Sequence, residues 1–133
     1  MGEYSRHHHY TIDLDKPLVR HSWGTLLARG DIHADDIVLT LTRGGEPYKP
    51  TVYPVFIGDM LRADGKTVLF DQQDMRYDST VALTLDNKCY QVPGRFTLSV
   101  QLYSGDNAST TVLVIDGYIQ EFRSDDYIFP DYN

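Results

Sequence analysis

The stretch Phe96-Thr97-Leu98-Ser99-Val100-Gln101-Leu102 alternates apolar and polar residues without a break. In an extended chain successive side chains point to opposite faces. Phe96, Leu98, Val100 and Leu102 therefore share one face, and Thr97, Ser99 and Gln101 the other. That order suits a β-strand with one face buried and one wet. Val81-Ala82-Leu83-Thr84-Leu85 repeats it, and so does Ile37-Val38-Leu39-Thr40-Leu41-Thr42. Further strands are expected near residues 10–15, 53–61 and 66–71, and a long one over residues 111–122. The middle of the last, Val112-Leu113-Val114-Ile115, is apolar on both parities, which predicts a central strand covered on both faces. Gly117 inside it predicts a bulge or a close backbone approach.

The punctuation between these runs agrees. Asp64-Gly65 separates two of them, and Asp-Gly is a strong hairpin signal. Gly44-Gly45, Asp86-Asn87, Pro93-Gly94 and Gly105-Asp106-Asn107 mark the other turns. No sustained apolar spacing of three and four residues argues for a long helix. The expected fold is all-β, an antiparallel, immunoglobulin-like sandwich of about seven to nine strands. At 133 residues the chain suits one domain. Residues 1–9 read as an N-terminal arm, 10–123 as the sandwich and 124–133 as a C-terminal tail.

Charge and cysteine content narrow the function classes. Lys and Arg total 12 against 19 Asp and Glu, a net charge of −7, which disfavours phosphate backbones and hence nucleic acid. No apolar run approaches the ~20 residues of a membrane helix, and no secretory signal is visible. A single cysteine, Cys89, excludes a disulfide scaffold.

The residue types that carry chemistry form no recognisable constellation. His7, His8 and His9 are consecutive, so an extended chain sends neighbours to opposite faces and they cannot converge on one metal. They read as surface imidazoles or the remnant of an added tag, and His21 and His33 are isolated. Cys89 follows an apolar strand with no local base, and reads as a buried, inert thiol. Asp35-Asp36, Asp71, Asp74, Asp78, Asp125-Asp126 and Asp131 flank strands and turns, where Asp bonds the local backbone. A glycosidase would need two of them held across a cleft, with Asp71 and Asp74 the pair to test. Arg29-Gly30-Asp31 matches the cell-adhesion tripeptide but reads as a glycine turn between opposite charges. No catalytic residue, metal or cofactor is expected, and the chain reads as a non-enzyme.

The aromatic residues are the other functional signal. Ten Tyr, five Phe and one Trp exceed what one small core holds, and Tyr and Trp suit interfaces and sugar-stacking platforms. The alternative reading is a carbohydrate-binding sandwich for host-wall or surface glycans, with Trp23, Tyr48 and Tyr53 as its platform.

The order of motifs is itself informative. Leu27-Ala28-Arg29-Gly30-Asp31 precedes an alternating strand and Gly44-Gly45-Glu46-Pro47. Arg62-Ala63-Asp64-Gly65-Lys66-Thr67-Val68 and Cys89-Tyr90-Gln91-Val92-Pro93-Gly94-Arg95-Phe96 follow, and then a closing Arg123-Ser124-Asp125-Asp126-Tyr127-Ile128-Phe129-Pro130-Asp131. From about Tyr10 to Asp131 the chain resembles the N-terminal domain of the phage baseplate upper protein family of Gram-positive phages and prophages. It departs from that pattern in residues 53–62 and around Pro130, which lacks the usual Asp before and Gly after. The long C-terminal extension that would carry a stalk or receptor-binding tip is also missing. The resemblance implies a β-sandwich structural protein of the virion tail, made in the host cytoplasm. Its implied partners are other tail and baseplate proteins and copies of itself, a trimer first, with neither nucleic acid nor membrane insertion. A short member would be an adaptor rather than the host-binding element. Tyr127, Ile128, Phe129, Pro130 and Tyr132 of the apolar tail, with Tyr10 of the opposite end, are the candidate interface residues.

Overall fold

The computed structural model describes residues 5–24, 26–48, 54–75, 79–103 and 109–122. Ten strands are present among them: β1 (Arg6–Asp13), β2 (Arg20–Ser22), β3 (Leu27–Ala28), β4 (Asp35–Arg43), β5 (Glu46–Pro47), β6 (Val55–Leu61), β7 (Thr67–Asp74), β8 (Thr80–Thr84), β9 (Gly94–Tyr103) and β10 (Ser109–Gln120). One 3-10 turn, Asn87–Tyr90, joins β8 to β9. The smaller sheet is built on β4, with β1 along one edge and β5 and β8 sharing the other. The larger sheet runs β2-β10-β9-β6-β7, with β3 following β2 on the outer edge of β10.

Alternation decides which side chains enter the core between the sheets. Ile37, Leu39 and Leu41 of β4 and Val81 and Leu83 of β8 meet Phe56 and Met60 of β6, Phe96, Leu98 and Val100 of β9, and Leu113, Ile115 and Ile119 of β10. Thus the all-β sandwich expected from the alternation is the observed fold, with sheets that are mixed rather than wholly antiparallel. β1 runs parallel to β4, and β2 and β3 run parallel to β10. β10 is internal to its sheet, as its double-parity apolar run predicts. Its second face is only partly covered, since Val112 and Val114 are half-buried while Leu113 and Ile115 are fully buried.

Gly117 marks a close approach rather than a bulge. It pairs with Phe96 across the β9–β10 ladder, and the Phe96 ring lies where a side chain on Gly117 would go. Gly58 on β6 receives the Phe70 ring of β7 in the same way. In each case an aromatic covers a glycine that has no side chain to pack. The bulge of β10 falls instead between Thr111 and Leu113.

The expected N-terminal arm is corrected in part: residues 6–9 are the first half of β1. Asp35 and Asp36, read from sequence as loop carboxylates, lie inside β4 and are fully buried.

Candidate functional site

Three of the five segments singled out in the sequence meet in one corner, whereas Gly44 and Gly45 bond Asp13 at the far end of β1 and residues 123–131 lie outside the described residues. Gly30 takes φ +89°, a conformation that favours glycine, and its N–H donates to Tyr90 O at 3.1 Å. Arg29 reaches Gln91 O through Nε at 3.3 Å and Glu121 Oε1 through Nη1 at 2.9 Å. The Arg62 guanidinium pairs with Asp64 at 2.6 Å and also donates to Lys88 O and Gln91 Oε1. Gly94, at φ +122°, leaves room for Ala63, whose Cβ would lie 2.6 Å from any Cβ added there. Arg29-Gly30-Asp31, Arg62-Ala63-Asp64-Gly65 and Cys89–Gly94 are therefore three walls of one corner. The cell-adhesion tripeptide is a structural turn here.

Tyr90 ties this corner to β1. Its side chain is fully buried, and its hydroxyl donates to Asp35 Oδ2 at 2.8 Å. Arg6 grips the same carboxylate with Nε at 2.8 Å and Nη2 at 2.9 Å, and His8 Nε2 lies 2.9 Å from Oδ1. Burial by itself pushes the Asp35 carboxyl up, but the bonds from His8, Arg6 and Tyr90 outweigh it and hold the group below the usual carboxylate range. Burial, then the Asp35 charge, push the Tyr90 phenol well up, so it stays a neutral donor. On the opposite face of β4, Asp36 Oδ1 accepts from Thr84 Oγ1 at 2.6 Å. Asp36 Oδ2 sits 3.0 Å from His7 Nδ1 without hydrogen-bond geometry.

The histidine triplet is thus corrected: two of the three imidazoles sit against buried carboxylates, and His8 also stacks on Trp23 at 4.0 Å between ring centroids. Composition gave no hint of this, because the partners lie in a strand that pairs parallel and far along the chain.

The remaining site candidates fall as follows. The Trp23 indole N–H donates to Tyr10 Oη at 2.6 Å, and its ring meets Phe96 edge-on at 6.2 Å. One face of the proposed sugar platform is therefore occupied by His8. Tyr48 lies under the Arg43 guanidinium at 5.0 Å, and Tyr53 falls outside the described residues. A groove of about 550 Å³ runs past Ile12, Leu14, Leu18, Val19 and Val112, and neither Trp23 nor Tyr48 lines it. Tyr10 is half-buried against His21 and Trp23. Tyr127, Ile128, Phe129, Pro130 and Tyr132 lie outside the described residues.

Cys89 is buried in the 3-10 turn, and burial, with the nearby Asp86 charge, pushes its thiol up to about 12. A neutral thiol is a poor nucleophile. Asp71 caps the backbone: it accepts from Gln72 N at 2.8 Å, from Gln73 Nε2 at 3.0 Å and from Thr84 N at 2.8 Å. No group of three or more His, Cys, Asp or Glu among the described residues is placed to hold a metal ion.

No family model and no curated protein matches the sequence. Solved structures do match it. One is the N-terminal domain of phage TP901-1 ORF48, 13% identical, with a TM-score of 0.49, over 86% of this chain and 98% of that one.

Proposed function

We propose that this chain is a non-enzymatic structural module of a phage or prophage tail baseplate, an adaptor that works through contacts with other tail proteins and with copies of itself. The observation that carries the reading is that three of the five resemblance-bearing segments, residues 27–31, 62–68 and 89–96, meet in one corner. The Gly30 N–H meets Tyr90 O, Arg62 donates to Lys88 O and Gln91 Oε1, and Gly94 makes room for Ala63. The resemblance rests on the order of these segments along the chain, and three of them pack as one unit. Their role in the corner is architectural: turns, backbone caps and a buried phenol. Residues 127–130 and 132 supply the apolar segment that meets neighbouring subunits, and the module works in the virion tail after synthesis in the host cytoplasm.

Immuno-electron microscopy of virions of the phage that encodes the chain tests this. Antibody against the folded protein is expected to label the tail tip. Virions without label, or with label confined to the head, end the reading.

A further inference from the structure

We propose that the outer edge of β1 is a self-association site, at which β1 pairs antiparallel with β1 of a second copy. The inference rests on the assembly reading for the idea that the chain works among copies of itself, and it puts a two-fold pair in place of the trimer that the resemblance implies.

The hydrogen-bond parity of β1 defines the edge. Arg6 N–H donates to Ala34 O at 2.7 Å, and Leu14 N–H donates to Thr42 O at 3.0 Å. The register between these ends is unbroken. Backbone groups of even-numbered residues therefore face β4, and those of His7, His9, Thr11 and Asp13 face the other way. Among the described residues no strand lies on that side. The Asp13 carbonyl accepts from Lys16 N at 3.1 Å, which leaves that residue's N–H. The side chains of His7, His9 and Thr11 are exposed as well.

Other edges carry the protections that keep sheets from pairing. β2, β3 and β5 are two or three residues long. β7 is broken by a bulge opposite Gly58 and Asp59. The Thr84 N–H at the end of β8 is capped by the Asp71 carboxylate. β1 has eight residues with no proline, lysine, glycine or bulge.

The second copy is the occupant because the edge is complementary to itself. A two-fold axis through Tyr10 sets His9 opposite Thr11 of the second copy, and each such pair exchanges both backbone bonds. The same register sets His7 opposite Asp13 of the second copy, whose carboxylate stays on the N–H groups of Asp15, Gly44 and Gly45 of its own chain. An axis through His9 would instead oppose the His9 imidazole to itself. The dimer joins the two smaller sheets into one.

Proline parity tests the proposal in the full chain. Thr11→Pro removes an outward N–H and spares the β4 ladder, since edge strands accept proline where the N–H faces solvent. Light scattering of the wild-type chain at about micromolar to hundreds of micromolar concentration is expected to give a dimer, and Thr11→Pro a folded monomer by circular dichroism. A wild-type monomer throughout, a trimer, or a folded Thr11→Pro chain that stays dimeric overturns it. Should Thr11→Pro fail to fold, amide exchange in the wild type decides. Exchange at His9 and Thr11 that slows with protein concentration supports the edge, and concentration-independent exchange there overturns it. Labelled virions with a monomeric chain would sink this inference and leave the baseplate reading standing.

Discussion

Tyr90 does two jobs with one residue. Its carbonyl closes the Gly30 turn, and its hydroxyl supplies one of the donors that let Asp35 stay ionised at zero exposure. A buried carboxylate is costly unless every lone pair is met. Tyr90→Phe keeps the ring and the carbonyl and deletes only the donor. A hydrogen bond to a charged group contributes about 1.5–3 kcal/mol, so urea denaturation of Tyr90→Phe is expected to show a loss of that size. A loss below about 0.5 kcal/mol, the range of ordinary surface changes, would mean that Arg6 and His8 satisfy Asp35 alone. Gly117 shows the opposite economy, a side chain omitted so that the Phe96 ring can lie flat on the strand. Gly117→Ala is expected to cost about 1–3 kcal/mol through displacement of that ring. Replacing Phe96 by Leu in the same chain should recover part of the loss, because neighbours that share a clash are not additive. Fully additive losses would mean the ring and the glycine are independent.

At the scale of elements, the strands legible in the sequence are those whose burial obeys a period of two. β4, β8 and β9 were readable because Ile37, Leu39, Leu41, Val81, Leu83, Phe96, Leu98 and Val100 alternate with polar residues and enter one core. β6 and β7 were readable from their apolar runs and the Asp64-Gly65 turn, where Gly65 takes φ +80°. The first half of β1 was not readable, because Arg6-His7-His8-His9 has no apolar alternation. Its inward positions are filled by Arg6 and His8, which a hydrophobic pattern counts as solvent-facing. They enter because Asp35 and Trp23 receive them, and both partners are distant in sequence. The same blindness hid the mixed pairing: parallel β1–β4 contacts leave no turn signal between the strands they join. For the site, the three motif segments were legible as an ordered set, and their packing around Lys88–Gly94 was not, since spacing along a chain says nothing of which turns share a corner.

For the whole molecule, acid is the condition that reports on the carboxylates that hold the parts together. Asp35 lies below the usual range for the reasons given above. Asp13 is lowered by the N–H groups of Asp15, Gly45 and Gly44, Asp64 by Arg62, and Asp116 by Arg20. Each has a folded pKa depressed below its unfolded value, which is about 3.9 for Asp. Such a group adds stability above the unfolded pKa and loses it as pH falls through the folded one. Between pH 7 and the isoelectric point near 5.0, the net charge of −7 shrinks toward zero, which relieves self-repulsion and removes none of these contributions. Urea midpoints are therefore expected to hold from about pH 7 to 5 and to fall below about pH 4. Asp13, Asp64 and Asp116 face solvent in part, so salt screens their share. Asp35 is buried, and its share should survive in about 1 M salt, where the screening length is only a few ångströms. Asp35→Asn cannot titrate: it is expected to be less stable at neutral pH but to show a shallower acid limb in high salt. An acid limb equally steep in Asp35→Asn would place the titrating groups elsewhere and remove Asp35 as the charge on which β1, β4 and the Tyr90 corner converge.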